Sequence, residues 1–497
     1  MESSSNPKPE TSAPKRIISR FAHLLSAQGV DGILSALFFL YLAHLDSTLY
    51  GEVMYGLAVG SGVFTVVLFG LYYPLVNDLG GADKSAAPEI VNRVNILRMG
   101  LFLVAMTVIF AMALLGEYSP RMAWVMVLIA AGFGLRALAE TFFADLRVRG
   151  NQKTEARIRI AADVISYGYG LTTAYLGFDP VIVSLFQLIS GLVRVVLASA
   201  NYLQAYACKL LFMTQLDSLW PVFRVATVFA FIQILGLVYN KTNIFFLEKA
   251  EGVKAVAYYS ATYNLIEPIS ILISEYLVAR VIYPLISGLW WQDRYKVTSI
   301  VRGTAQWILV FTLPTMFFLY IESDLIIGIV YPHEYKDAIW MQKYLVWAIL
   351  LSALANLFSC IMMVAAAERV VLLFAAVTLV ANLILNWLFV YPLGMAGACL
   401  VIILTKLVMT VLTFCYCQIR YRFFSVGTFL FPLLLACMGM VLFVTIKPHI
   451  EEQLAMWIML CFYWVCVWKF GDVFMGPLPS DTNLSLPTAK PRGPESI

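Results

Sequence analysis

Residues 180–205, PVIVSLFQLISGLVRVVLASANYLQA, decide the class of fold. About 20 consecutive apolar residues are enough to cross a bilayer as a helix. This stretch is that long, and its one charged residue is Arg194. Lipid offers the backbone no water to bond, so such a run must close its hydrogen bonds internally as a helix. A second stretch, 392–417, PLGMAGACLVIILTKLVMTVLTFCYC, follows the same plan: it also opens on proline and also carries a single charge, Lys406. Arg194 follows Pro180 by the same spacing as Lys406 follows Pro392. Equal offsets put the two cations at one depth and on one face of equivalent helices.

The rest of the chain agrees. Of 497 residues, 61% are apolar and 13% charged, against about 45–50% and about 25% in a soluble domain. That excludes a water-soluble globule, and it also excludes disorder. Fourteen apolar segments can be read, near 20–45, 50–76, 93–116, 121–146, 157–178, 181–205, 220–247, 255–285, 299–320, 339–366, 370–390, 395–417, 426–446 and 454–475. The expectation is an all-α polytopic membrane protein. Tyr73-Pro74-Leu75 and Tyr283-Pro284-Leu285, near the ends of segments two and eight, repeat the offset of six segments seen between Arg194 and Lys406. Two six-helix lobes related by a pseudo-two-fold axis, with two C-terminal helices appended, account for that offset.

Cation placement sets the orientation. With the N-terminus cytoplasmic, only Arg121, Lys249, Lys254, Lys336, Lys343 and Lys447 fall outside, and Arg136, Arg194, Lys241 and Lys406 fall within spans. All other Lys and Arg residues lie inside, which places both termini in the cytoplasm and the protein in the cytoplasmic membrane. The expected layout is a disordered tail at 1–19, an N-terminal lobe at 20–206, an interfacial linker at 207–219 and a C-terminal lobe at 220–420. Two further helices occupy 421–476 and a second disordered tail 477–497.

An ionisable group inside a span costs about 2.5–3.5 kcal/mol on insertion scales, so it is expected to face a cavity or a partner. Arg194, Lys406, Lys241 and Arg136 are the candidate phosphate-binding cations, because a guanidinium offers a bidentate fork and an ammonium a mobile point charge. Internal pairing is the competing reading: Arg136 with Glu140 four residues on, Arg194 with Asp163 of the preceding segment, Lys241 by snorkelling outward. Asp31, Glu267 and Glu275 are candidate coupling carboxylates, with Pro268 beside Glu267 to permit bending. Gln187 and Asn264 are read as cavity polar groups. Asn382 and Asn386, four apart, either line the cavity or join helices. The eight cysteines show no metal-ligand spacing, and no HExxH, GxSxG, Walker A or GxGxxG motif is present. Neither an enzyme nor a bound cofactor is expected.

Several stretches resemble the polysaccharide-type flippases, the O-antigen and exopolysaccharide exporters of the multidrug/oligosaccharidyl-lipid/polysaccharide superfamily. These are YGEVMYGLAV at 50–59, KTNIFFLEKAEGVKAVAYYSATYNLIEPISILISEYLVARVIYPL at 241–285, LIIGIVYPHEYKDA at 325–338 and NLILNWLFVYPLGMAGA at 382–398. The resemblance covers roughly 20–420. It departs at Lys241-Thr242-Asn243, where the family often has Asp, so no acidic coupling role carries over to that position. The family implies a V-shaped pair of lobes around a central cavity and alternating access. It also implies a polyprenyl-pyrophosphate-linked sugar as substrate, with H+ or Na+ as a possible coupling ion. The partners implied are the lipid-linked glycan, membrane lipid and other membrane proteins of polysaccharide assembly, with no nucleic acid, for a chain acting as a monomer. Two alternatives stay open: a multidrug or cation antiporter on the same fold, and a polytopic glycan polymerase or glycosyltransferase. The short outside loops count against the second.

Overall fold

The computed structural model describes residues 13–81, 86–116, 118–206, 219–272, 278, 282–290 and 292–474. The expected C-terminal tail, nearly all of the expected linker and Glu275 lie outside the described residues. The described elements are helical throughout. They begin with α1 (Ala13–Leu45), α2 (Ser47–Leu68), α3 (Tyr72–Gly81), α4 (Ala87–Leu115), α5 (Pro120–Val148), α6 (Gln152–Tyr175), α7 (Pro180–Tyr206) and α8 (Leu219–Glu251). They continue with α9 (Val253–Ile271), α10 (Tyr283–Leu289), α11 (Arg294–Ile321), α12 (Ser323–Val330), α13 (Lys336–Leu345), α14 (Trp347–Val364), α15 (Glu368–Tyr421), α16 (Val426–Ile446) and α17 (Glu452–Phe474). Ten helices among the described residues are long and apolar enough to cross a membrane. The protein is an all-α, multi-pass membrane protein.

Local chemistry starts and stops these helices. The Asp46 carboxylate accepts from the Thr48 amide at 2.8 Å and caps α2. The Ser119 hydroxyl accepts from Met122 N ahead of α5, whose first residue is Pro120. Asp293 Oδ1 accepts from Lys296 N at 3.0 Å and opens α11. Each cap satisfies an amide that the first helical turn leaves unpaired. The described part of α1 already takes in residues 13–19 of the stretch expected to be a tail.

Segment two, read as a single span, is broken: it stops at Leu68, where Phe69 takes φ 45° and Gly70 φ 63°, and resumes as α3. In segment eight, α9 runs to Ile271 and α10 starts at Tyr283, and the described residues Leu272, Val278 and Ile282 between them are also helical. Both Tyr-Pro-Leu triplets fall in the first turn of a short helix. Proline is tolerated there because first-turn amides have no intrahelical partner.

The chain forms two compact units, Met1–Leu237 and Val238–Ile497, divided within α8. In the first, α5 is the hub, packing on α7, α2, α4 and α3, while α6 packs on α7 and α1. Small residues set the closeness of α5 and α7. A Cβ at Gly132 would lie 2.3 Å from the Gln187 carbonyl oxygen, and one at Gly191 2.4 Å from that of Gly132. In the second unit α15 runs for 54 residues, but Gly394, at φ 54° and ψ −127°, divides it into two helices. Its core joins Ile286, Val301, Ile308, Leu357 and Ile361 to Phe423.

Candidate functional site

The candidate charges of the first unit gather between α1, α5, α6 and α7, while a further cation, Arg98 of α4, is fully buried and donates to Thr141 Oγ1 at 2.7 Å. Asp163 and Gln187 are each 2% exposed, and Ser190 and Arg194 3%. One Arg194 Nη2–H donates to Asp163 Oδ1. Of the two open readings for Arg194, internal pairing is the geometry present. Burial of one charge without the other would cost several kcal/mol, so each holds the other in place. The Tyr167 hydroxyl donates to Asp31 Oδ1 at 3.3 Å. Tyr167 itself packs on Phe38 and Phe186. Gln187 keeps its Nε2 buried with no hydrogen-bond partner among the described residues.

Arg136 does not pair with Glu140. The Glu140 carboxylate is taken by two other cations, Arg147 at 3.0 Å and Arg159. Both of these also bond Glu155, Arg147 at 2.6 Å and Arg159 at 3.0 Å. With both its oxygens occupied, Glu140 leaves Arg136 half-buried over the Phe133 ring, 5.2 Å from the centroid. This two-arginine, two-glutamate knot at the α5–α6 turn was missed in the sequence. Its one local signal is the i,i+4 spacing of Glu155 and Arg159.

The second unit holds the other candidates. Lys406 Nζ donates to Asn240 Oδ1 at 2.6 Å and lies 5.6 Å from the Tyr239 ring centroid. Among the described residues it makes no ion pair. Lys241 Nζ stands 3.5 Å from Glu267 Oε1 and 5.2 Å from the Tyr263 ring. Glu267 is thus a paired carboxylate, with Pro268 next to it inside α9. Asn264 is half-buried on the same helix.

Asn382 and Asn386 are fully buried. Their Nδ2 groups both donate to Asn243 Oδ1, at 3.3 and 3.0 Å. Asn382 also donates to Thr405 Oγ1 at 2.9 Å, and Asn243 Nδ2 donates to the Ala398 carbonyl at 3.1 Å. The three amides join α8 to both halves of α15, and neither Asn382 nor Asn386 faces open space.

The two sites differ in charge. In the first unit Arg136 and Arg194 are matched in number by Asp31 and Asp163. In the second, Lys241 and Lys406 face Glu267 alone among the described residues. Lys406 is therefore a half-buried cation that, among the described residues, is held by a neutral amide and an aromatic face.

Residues 45–340 match the model of the polysaccharide biosynthesis protein family. The chain belongs to that family. No curated protein matches it in sequence. Its fold is similar to those of several solved transporters. It is similar to a lipid II flippase, MurJ, in an inward closed conformation, at TM-score 0.71 and 11% identity, covering 90% of this chain and 98% of that one. It is also similar to an inward-facing multidrug resistance MATE family transporter, at TM-score 0.63 and 15% identity, covering 79% and 94%. A third relative is a MOP superfamily transporter from Pyrococcus furiosus, described by a reversed polarity of its binding pocket, at TM-score 0.54 and 15% identity, covering 82% and 96%.

Proposed function

We propose that this family member moves a polyprenyl-phosphate- or pyrophosphate-linked oligosaccharide across the cytoplasmic membrane by alternating access, as a non-enzymatic flippase. Both termini are placed in the cytoplasm by the cation bias of the loops. The observation that carries the reading is Lys406, a half-buried cation within an apolar helix whose ammonium, among the described residues, bonds neutral Asn240. A lone ammonium in low dielectric is costly unless an anion visits it. A sugar-linked phosphate supplies that anion, and Tyr239 and Tyr263 beside the two lysines offer apolar faces to sugar rings. Lys241 and Arg136 are secondary cations on this reading. Arg194 is a positioning group, since its charge is already met by Asp163. Asp31 and Glu267 are the coupling candidates, for H+ or Na+.

A multidrug antiporter remains the second reading, favoured by the balanced charge around Asp31 and Asp163. Reconstitution in proteoliposomes separates the two. Lys406→Ala is expected to cut flipping of a lipid-linked glycan at least tenfold with unchanged thermal stability, and Lys406→Arg to restore part of it. Glycan flipping at the wild-type rate in Lys406→Ala overturns the phosphate-site reading. Proton-driven efflux of organic cations without glycan flipping favours the antiporter.

A further inference from the structure

Between the two halves of α15 the backbone departs from the helix at Gly394, and Pro392 just before it has no N–H to donate. A carboxylate closes this gap. Glu251 Oε1 accepts from the Met395 amide at 3.3 Å. A Cβ built on Gly394 would fall 1.4 Å from that same oxygen, so the carboxylate fills the place a side chain would take. Glu251 is itself the last residue of α8, and the next residue, Gly252, has φ 82°. One exposed carboxylate thus clasps two backbone breaks, α8–α9 and the middle of α15.

The other end of α15 is held differently. The Arg294 guanidinium lies over three rings, Trp290 at 4.5 Å, Tyr421 at 5.1 Å and Phe423 at 5.2 Å. Arg302 Nε donates to the Phe423 carbonyl. Three cation–π contacts and a charge-assisted bond outweigh one long carboxylate–amide bond. Beside the Gly394 end lies an open groove of about 550 Å³ between Trp340 and Tyr344 on one side and Leu393, Ala396, Cys399 and Leu400 on the other. The segment from Gly394 to Tyr421 is fixed at one end, lightly clasped at the other, and borders this groove where it is clasped.

We propose that Glu251 is a positioning residue for Lys406. Its carboxylate holds the second half of α15 in the direction that seats Lys406 on Asn240, and its release lets that half swing about the Tyr421 end into the adjoining groove. The clasp stands on geometry alone; its consequence for cargo rests on the reading of Lys406 above.

The test uses the full chain in nanodiscs, with hydrogen exchange read by mass spectrometry over residues 390–402 and alkylation read at Cys399, which is 1% exposed. Glu251→Ala is expected to speed exchange over this segment at least tenfold and to open Cys399 to maleimide, while α7 and buried Cys417 keep their protection. Glu251→Gln, which retains an oxygen acceptor, should behave nearly as wild type. Gly394→Ala, whose new methyl displaces the carboxylate, should copy Glu251→Ala. Wild-type exchange in Glu251→Ala overturns the clasp. Faster exchange with unchanged glycan flipping overturns the link to Lys406. Should the wild-type chain flip no glycan, the exchange arm still decides the clasp.

Discussion

The Arg194 guanidinium and the Asp163 carboxylate bond one another between α7 and α6 with their side chains 3% and 2% exposed. A pair so deeply removed from solvent repays its desolvation only while both members are present. Arg194→Ala and Asp163→Ala are each expected to lower stability by about 3–5 kcal/mol, the usual cost of stranding one charge of a buried pair. The double variant Asp163→Leu/Arg194→Met, which strands nothing, should recover most of that loss. Thermal unfolding in detergent reads all three. Equal destabilisation of the single and double variants would show that the pair is not the unit holding α6 to α7.

This bears on how far the sequence could be read. That Arg194 and Lys406 lie inside long apolar helices was legible from hydropathy, a local quantity. The partner of Arg194 was legible as one of two possibilities, because α6 and α7 are consecutive. The partner of Lys406 was not, since Asn240 lies 166 residues away and no local pattern announces it. Glu140 shows the opposite failure. Its spacing from Arg136 is right for a helix-surface pair, but Arg147 and Arg159 reach the same carboxylate and bind Glu155 as well. The all-helical, multi-pass architecture was legible because lipid forces helix on any long apolar run, although ten helices, not fourteen, are long and apolar enough to span among the described residues. The break at Phe69 was not, because an aromatic residue in a left-handed conformation leaves no mark on hydropathy.

The approach of α5 to α7 gives a second prediction. The space at Gly132 ends at backbone, the Gln187 carbonyl 2.3 Å from an added Cβ, and backbone cannot rotate aside as a side chain can. Gly132→Ala must therefore push the helices apart, at a cost of about 1–3 kcal/mol in the range found for overpacking. Gly191→Ala strains the same contact from the other side, meeting the Gly132 carbonyl. The two together should cost less than the sum of each alone, because one separation relieves both. Gly168→Ala, with nothing within 4 Å of its added Cβ, is the control and should be neutral or slightly stabilising. Unfolding midpoints of the four variants check the order.

The amide cluster of the second unit supplies the last prediction, and it concerns rank. Asn243 serves three bonds at once: it accepts from Asn382 and Asn386 and donates to the Ala398 carbonyl. Asn386 Oδ1, in contrast, is buried without a partner among the described residues. Removing Asn243 breaks three bonds that all cross between helices, at about 0.5–1.5 kcal/mol for each, since Asn382 keeps Thr405 and Asn386 keeps Asn382 as partners. Removing Asn386 also breaks three, but two of them run only to Asn382 four residues back on the same helix, and it removes an oxygen with no partner among the described residues. Asn243→Ala should therefore destabilise the chain clearly more than Asn386→Ala, although both delete one amide of the same size. The difference should appear also as faster hydrogen exchange in both halves of α15 for Asn243→Ala, since its bonds reach across Gly394 to each. Equal losses for the two variants would mean that water already serves this cluster and that the joint between α8 and α15 is carried by packing alone.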